Sequence, residues 1–364
     1  MFRALKEFNS DIQEFITDKI LIFDKEVFEN YPEYQKDELL ESINKMDSLN
    51  KSFILIDLKE YWDWNIFKSH ADTFTELHKF LSANINVKKV ILMTEDCNFE
   101  ILYDKWCEQN NIKDKVHVIG YPGIFQTNSF AYKDIRIRTG TGIHEIIKYK
   151  DRTTNPTRNF MCLMGNSSPD RNIIQKFFND NNLWDSNYIS YIGNNEGKDP
   201  ILLPNSGVMK KIVVGNSSAH TDNLGYYFND SYFSFIPESN KWNWTGGPGV
   251  TSLFLTEKTT KVLAHGHPFI MMCSVGALKQ LREWGFETFP ELFDESYDDI
   301  EERFERYAFI QKEILRVGSM NKDELRKICE SVEEKCINNQ KILFEGEKMI
   351  KQFMDKIKRI YEDE

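Results

Sequence analysis

The chain has 364 residues, 41% of them apolar and 28% charged, which excludes a fibrous or wholly disordered protein and leaves room for about two globular domains. With 46 Lys and Arg against 57 Asp and Glu, the net charge is -11. That disfavours bulk binding to nucleic-acid phosphates, although one basic patch would still admit a nucleic-acid partner. No apolar run approaches the roughly 18 residues of a membrane span, and the opening MFRALKEFNSDIQEF lacks a secretory apolar region, so no membrane span and a cytoplasmic location are expected.

Residues 1–50 read as helical and charged. Three apolar runs follow, Ser52–Asp57, Lys89–Thr94 and Val116–Gly120, with helical patterns between them at Asp72–Ser82 and Asn98–Gln109. Apolar runs alternating with helices at this spacing predict βαβ units and a parallel sheet. The turn signal Tyr121-Pro122-Gly123 closes the series. The polar, proline-bearing stretch from Lys148 to Thr157 is the expected boundary. The pattern then restarts, with strands at Asn159–Met164, Tyr188–Ile192, Tyr232–Ile236 and Pro268–Met272. Helices are expected at Pro169–Asn179, from near Thr256, and at Val275–Trp284. The last hundred residues read as helical, with Leu343, Ile350, Phe353, Ile357 and Ile360 forming one packing stripe. The acidic run Glu291 to Glu305 reads as a solvated helix face. Six cysteines without a C-x-x-C pair suit free thiols.

The fold class expected is α/β, with two Rossmann-like domains and a helical C-terminus. The divisions are residues 1–150, 158–320 and 321–364.

The segment that carries chemistry runs from Tyr232 to Gly285. Glu238 follows an apolar strand, where the ligand-binding side chains of parallel sheets collect. Thr256 is a natural N-cap, and the free N–H groups behind it attract anions. Lys258, read as an exposed lysine at the helix start, adds a positive charge. An acid beside a lysine at this place can divide the work on a nucleotide, the carboxylate taking ribose hydroxyls and the ammonium the diphosphate. On spacing alone, Glu257 simply serving the helix dipole is the commoner reading. A second strand-turn-helix runs from Met161 to Arg171. In it Gly165 allows close backbone approach, Asn166 beside it is a donor-binding candidate, and Arg171 offers a planar guanidinium to phosphate, or is a surface arginine.

Pro237-Glu238-Ser239, Thr256-Glu257-Lys258 and Gly266-His267-Pro268-Phe269 together resemble the donor-binding region of the α-1,3-fucosyltransferase-like glycosyltransferases. Residues 256–296, leading into the phrase Phe293-Asp294-Glu295-Ser296-Tyr297, are also similar to glycosyltransferases often encoded by bacteriophages. The resemblance spans roughly residues 158–310 and departs from the fucosyltransferase spacing, because a stretch from Asn240 to Leu255, with Trp242, Trp244 and Gly246-Gly247-Pro248-Gly249, separates Glu238 from Thr256.

The resemblance implies a GT-B architecture, two domains facing a cleft with the donor in the second. It places Glu257 on the ribose, Lys258 on the diphosphate and Glu238 near the sugar or ribose. The activity implied is transfer of a sugar from a nucleoside-diphosphate sugar to a hydroxyl acceptor: a glycan, a lipid-linked sugar, a protein or a modified DNA base. The donor is a cosubstrate, and no cofactor is expected. The chain contains no Asp-x-Asp, the motif that commonly holds a divalent metal in single-domain glycosyltransferases, so a metal-independent reaction is expected. The general base is sought among acids at strand ends in the first half, Asp57, Glu95 and Asp96, each of which is equally a possible helix cap. A nucleotide-sugar epimerase or hydrolase and a non-catalytic binding module remain open alternatives. His265-Gly266-His267 reads as a loop or packing element rather than a metal site, and Gly140-Thr141-Gly142 lacks the full dinucleotide fingerprint.

Overall fold

A computed structural model of the chain describes residues 19–23, 33–58, 71–121, 155–166, 168–193, 224–238 and 252–362. The described residues form a mixed α/β protein with two parallel sheets and a helical C-terminal part. The chain divides into two compact units, one of residues 1–127, 240–254 and 347–364, the other of residues 128–239 and 255–346. The expected Lys148–Thr157 boundary lies outside the described residues except for 155–157.

In the first unit, β1 (Ile20–Phe23), α1 (Glu33–Lys45), β2 (Phe53–Asp57), α2 (Ala71–Asn84), β3 (Val90–Thr94), α3 (Phe99–Gln109) and β4 (His117–Gly120) alternate. The four strands are parallel in the order β1-β2-β3-β4, with Ile20 opposite Phe53, Ile54 opposite Val90 and Ile91 opposite His117. Leu39, Ile54, Ile56, Leu77, Leu81, Val90, Leu92, Leu102 and Trp106 fill one core. The pattern of apolar strands with one-faced helices therefore folds as its periodicity requires. The helical reading of residues 1–50 is corrected by β1. Four residues are too few to show periodicity, and pairing with β2 is what makes Ile20–Phe23 a strand.

In the second unit the order is β5 (Arg158–Asn166), α4 (Pro169–Asp180), β6 (Tyr188–Gly193), α5 (Leu224–Asn229), β7 (Ser231–Pro237), α6 (Glu257–Ala264), β8 (Phe269–Met272) and α7 (Ala277–Glu283). Three longer helices follow, α8 (Arg303–Gly318), α9 (Lys322–Ser331) and α10 (Glu333–Glu345). The sheet is again parallel, but its order is β6-β5-β7-β8. Phe160, Phe178, Phe233 and Phe235 pack aromatic edges and faces through its core. The buried Arg306 donates from Nε to the Cys273 carbonyl at 3.1 Å and from Nη1 to the Ile300 and Glu301 carbonyls, fastening α8 beneath the end of β8.

Two further expectations are corrected. The acidic run from Glu291 is exposed at Glu291, Asp294, Asp299, Glu301, Glu302 and Glu305 but lies mostly ahead of α8 rather than on a helix face, and Glu295 and Asp298 turn inward. Asp298 is buried, and its carboxylate accepts from the Leu278 and Lys279 amides at 2.9 Å each, capping α7. Glu295 accepts from the Phe289 amide and the Thr288 hydroxyl, and Asp294 from the Ser296 amide. Burial is the leading cause that holds both the Glu295 and Asp298 carboxyls above the ordinary carboxylate range, against those hydrogen bonds and Arg282. The C-terminal stripe is also split. Gly346, in the left-handed region at φ 63°, ends α10 and donates to the Ile342 carbonyl at 2.9 Å. The final helix, α11 (Glu347–Glu362), then belongs to the first unit. There Ile350, Phe353 and Ile357 are buried, Phe353 lies 4.5 Å from Tyr121 between ring centroids, and Lys356 pairs with Glu100. Leu343 stays in the second unit.

Candidate functional site

The order of the second sheet creates a switch point. From β5 the chain moves outward to β6, then crosses back to β7 on the other side of β5 and continues to β8. Connections leaving neighbouring strands in opposite directions open a crevice beyond their C-terminal ends, where ligands of open α/β sheets bind. β5 stays in register with β6 as far as Asn166 opposite Gly193, and β7 with β8 as far as Pro237 opposite Met272. β5 and β7 share a register running from Arg158 opposite Ser231 to Met161 opposite Ser234. Carried forward, that register brings Gly165 level with Glu238.

On the β5 side, Gly165 and Asn166 end the strand. Ser168 caps α4 by accepting from the Arg171 amide at 3.3 Å, and Pro169 occupies the first turn, where no amide partner is needed. Asp170 is buried and paired with Arg303 of α8, which fixes this helix start. Arg171 is half-buried in the same turn. Burial drives the Cys162 thiol well up, and the Arg171 charge acts against it, so the guanidinium lies within electrostatic reach of β5.

On the β7 side, Glu238 is the hub. Its carboxylate has no exposed side-chain surface. One oxygen accepts from the Thr256 amide at 3.0 Å and the Thr259 hydroxyl at 2.5 Å, and the other from the Thr256 hydroxyl at 2.6 Å. Lys258 Nζ stands 3.6 Å from that second oxygen, 2.9 Å from the Thr256 hydroxyl and 3.2 Å from Glu257. Thr256 caps α6 as its sequence position predicts, accepting from the Lys258 amide at 3.3 Å. The acid after the strand therefore clamps the helix start rather than facing outward, and its influence on any ligand passes through Thr256 and Lys258.

Lys258 differs from the exposed lysine expected, its side chain being only 14% exposed. Glu257 is the more open member of the pair. Partial burial opposes its charge, but Lys258 by charge and hydrogen bond, with Lys261, outweighs that and holds the carboxyl below the ordinary range.

Sequence reasoning missed Lys261. It lies three and four residues beyond Lys258 and Glu257, on the same face of α6, and that spacing is the signal that would have found it. Burial lowers the pKa of its ammonium, with Glu257 partly restoring it and Lys258 adding to the depression.

Among the candidate bases, Asp96 is a structural acid. It is buried, and its Oδ1 accepts from the Asn98 amide at 2.8 Å and the Leu253 amide at 3.0 Å, which commits it to the turn ahead of α3, whose N-cap is Asn98. Glu95 is half-buried beside Tyr121, whose phenol is raised first by burial and then by the Glu95 charge. Asp57 ends β2, and its side chain lies outside the described residues.

The two histidines are packing groups. His267 binds the Ser234 hydroxyl at 2.8 Å and the Ser231 carbonyl at 2.9 Å through opposite ring nitrogens, and His265 stacks on Phe228 at 4.2 Å. Phe293 and Tyr297 of the phage-like phrase are core residues, and the Tyr297 hydroxyl accepts from the Met271 amide at 3.4 Å. Trp242, Trp244, Gly246, Gly247, Gly249 and the Gly140–His144 stretch lie outside the described residues. All six cysteines are thiols rather than disulfides. No helix among the described residues is long and apolar enough to cross a membrane. Among those residues no three His, Cys, Asp or Glu side chains converge as a metal site requires. Comparison with protein-family models, curated proteins and solved structures finds no match.

Proposed function

We propose that the protein is a glycosyltransferase of the two-domain GT-B kind, with a nucleoside-diphosphate sugar bound at the second unit's switch point. The observation that carries the reading is the strand order β6-β5-β7-β8, which makes the ends of β5 and β7 a switch point. It leaves Gly165 and Asn166 on one strand end opposite the Glu238–Thr256–Lys258 clamp on the next. An anionic ligand there meets the capped starts of α4 and α6, whose amides carry partial positive charge.

In this reading Glu257, the open carboxylate, takes the ribose hydroxyls. Lys258 and Arg171 take the diphosphate, and their fixed charges stabilise it as the bond to the sugar breaks. Glu238 is a positioning residue, holding Thr256 and Lys258 in place. The acceptor hydroxyl attacks the anomeric carbon and loses its proton to a carboxylate, for which Glu95 and Asp57 are the candidates. The nucleoside diphosphate leaves.

The test is a thermal-shift panel of nucleoside diphosphates and their sugars, followed by turnover with the donor that binds. A ligand of the folded state raises the melting temperature by mass action. Release of nucleoside diphosphate that depends on an added acceptor supports transfer. Product without acceptor means an epimerase or hydrolase, and binding without turnover means a binding module. Failure to bind any nucleotide rejects the site.

A further inference from the structure

Lys261 is the group that the proposed donor chemistry leaves unexplained. It is only 9% exposed, and lysine is almost never so buried without a partner. No hydrogen bond or ion pair to its ammonium occurs among the described residues. Its carbonyl accepts from the His265 amide at 3.2 Å, and is 2.8 Å from His265 Nδ1, but those contacts leave the side chain uncommitted. Long side chains on a helix lean back toward its N-terminus, so from the second turn of α6 the ammonium is directed at the first. Its electrostatic coupling to both Glu257 and Lys258 agrees with that direction.

The charges at this helix start make the point sharper. Lys258 is already shared between Glu257 at 3.2 Å and Glu238 at 3.6 Å. Two acids and two lysines cancel in number, but the Glu238 carboxylate is enclosed by three hydroxyl and amide donors. Lys261 is therefore the cation with the least local compensation, and it sits beside the positive end of the helix. A largely buried lysine within electrostatic reach of a second ammonium is unfavourable without an anion, and an arriving anion relieves that repulsion. A single phosphoryl group satisfies one lysine, whereas two linked phosphoryl groups satisfy both.

We propose that Lys261 is a second, recessed cation of this site, and that with Lys258 it makes the start of α6 a receptor for two linked phosphoryl groups in preference to one. This rests on the donor-site reading and adds to it the residue that distinguishes a diphosphate from a monophosphate. The bland alternative is a lysine whose stem merely covers apolar surface while its head reaches water. Substitution by methionine separates the two, because it keeps the stem and removes the charge.

The experiment titrates inorganic pyrophosphate and inorganic phosphate calorimetrically into the full chain and into Lys261→Met, Lys261→Arg and Lys258→Met, with the unliganded melting temperature of each recorded. The wild-type protein is expected to prefer pyrophosphate at least about tenfold. Lys261→Met should lose about ten- to a hundred-fold in pyrophosphate affinity, the range of one charge-assisted contact. It should lose little toward phosphate and melt no lower than wild type, while Lys261→Arg keeps the preference. A folded Lys261→Met with unchanged pyrophosphate affinity overturns this inference. If Lys258→Met is then impaired, the donor-site reading survives it. Wild-type protein that binds neither pyrophosphate nor any nucleoside diphosphate overturns both. If Lys261→Met does not fold, Lys261→Gln is read in its place by the same criteria.

Discussion

Lys258→Ala tests the site and its construction together, because the same ammonium serves a buried acid and the proposed diphosphate. A lysine exposed at a helix start would be dispensable for folding. This one is only 14% exposed and faces a Glu238 carboxylate with no exposed surface. Removing one partner of a buried pair costs about 3–5 kcal/mol when the remaining charge is uncompensated. Here three donors stay on the carboxylate, at 3.0, 2.6 and 2.5 Å. They hold the expected loss to about 1–3 kcal/mol, a fall of roughly 2–12 °C in melting temperature for a unit of this size. Turnover should fall further. A fixed cation facing charge that develops in the transition state contributes about 2–4 kcal/mol to the barrier, or about thirty- to a thousand-fold in rate. Unfolding is followed by calorimetry, and release of nucleoside diphosphate is measured well below the variant's melting temperature. A Lys258→Ala protein that is folded at the assay temperature and keeps near-normal turnover removes the donor-site assignment.

Glu238→Gln leaves Lys258 in place but puts a neutral amide among donors that need acceptors. A loss of about 3–5 kcal/mol is expected, and unchanged denaturant unfolding would show that the clamp is not what orders α6. Asp298→Ala strips the buried Leu278 amide and the part-buried Lys279 amide of their acceptor and should cost about 1–3 kcal/mol. Because the chain has no Asp-x-Asp, turnover is expected to persist in chelator, and complete loss restored by Mn²⁺ or Mg²⁺ would reject metal independence. Lys261 gives a pH signature. Its folded pKa is depressed, chiefly by burial with Lys258 adding and Glu257 opposing, so the unfolded chain holds the proton more tightly. The stability deficit it causes is full below the folded pKa and is relieved as pH rises toward the ordinary lysine value of about 10.4. The melting temperature of Lys261→Met should exceed wild type most at neutral pH and converge with it in alkali, and a difference constant across that range contradicts the buried-charge account.

Much of the fold was legible because its signals are local. Runs such as Phe53–Ile56, Val90–Met93 and Phe269–Met272 are apolar throughout, as strands covered on both faces must be. Helices such as Pro169–Asp180 carry their caps in the sequence. The start of α6 was legible for the same reason, since Thr256 caps the helix that Glu257 and Lys258 open. What tertiary structure decided is how distant residues meet. The order β6-β5-β7-β8 depends on crossover connections that no run of residues encodes locally. Glu238 turns inward because Thr256 and Thr259, on the next element, present their donors to it. Asp96 is committed to the Leu253 amide, and Asp298 to α7, across separations that sequence pattern does not span. Ile20–Phe23 is a strand only because β2 lies beside it. Gly346 divides what reads as one helical stripe, because a left-handed residue ends α10 and sends α11 to the other unit. Propensity and periodicity fix what each segment becomes, and pairing and burial fix which charges remain to meet a ligand.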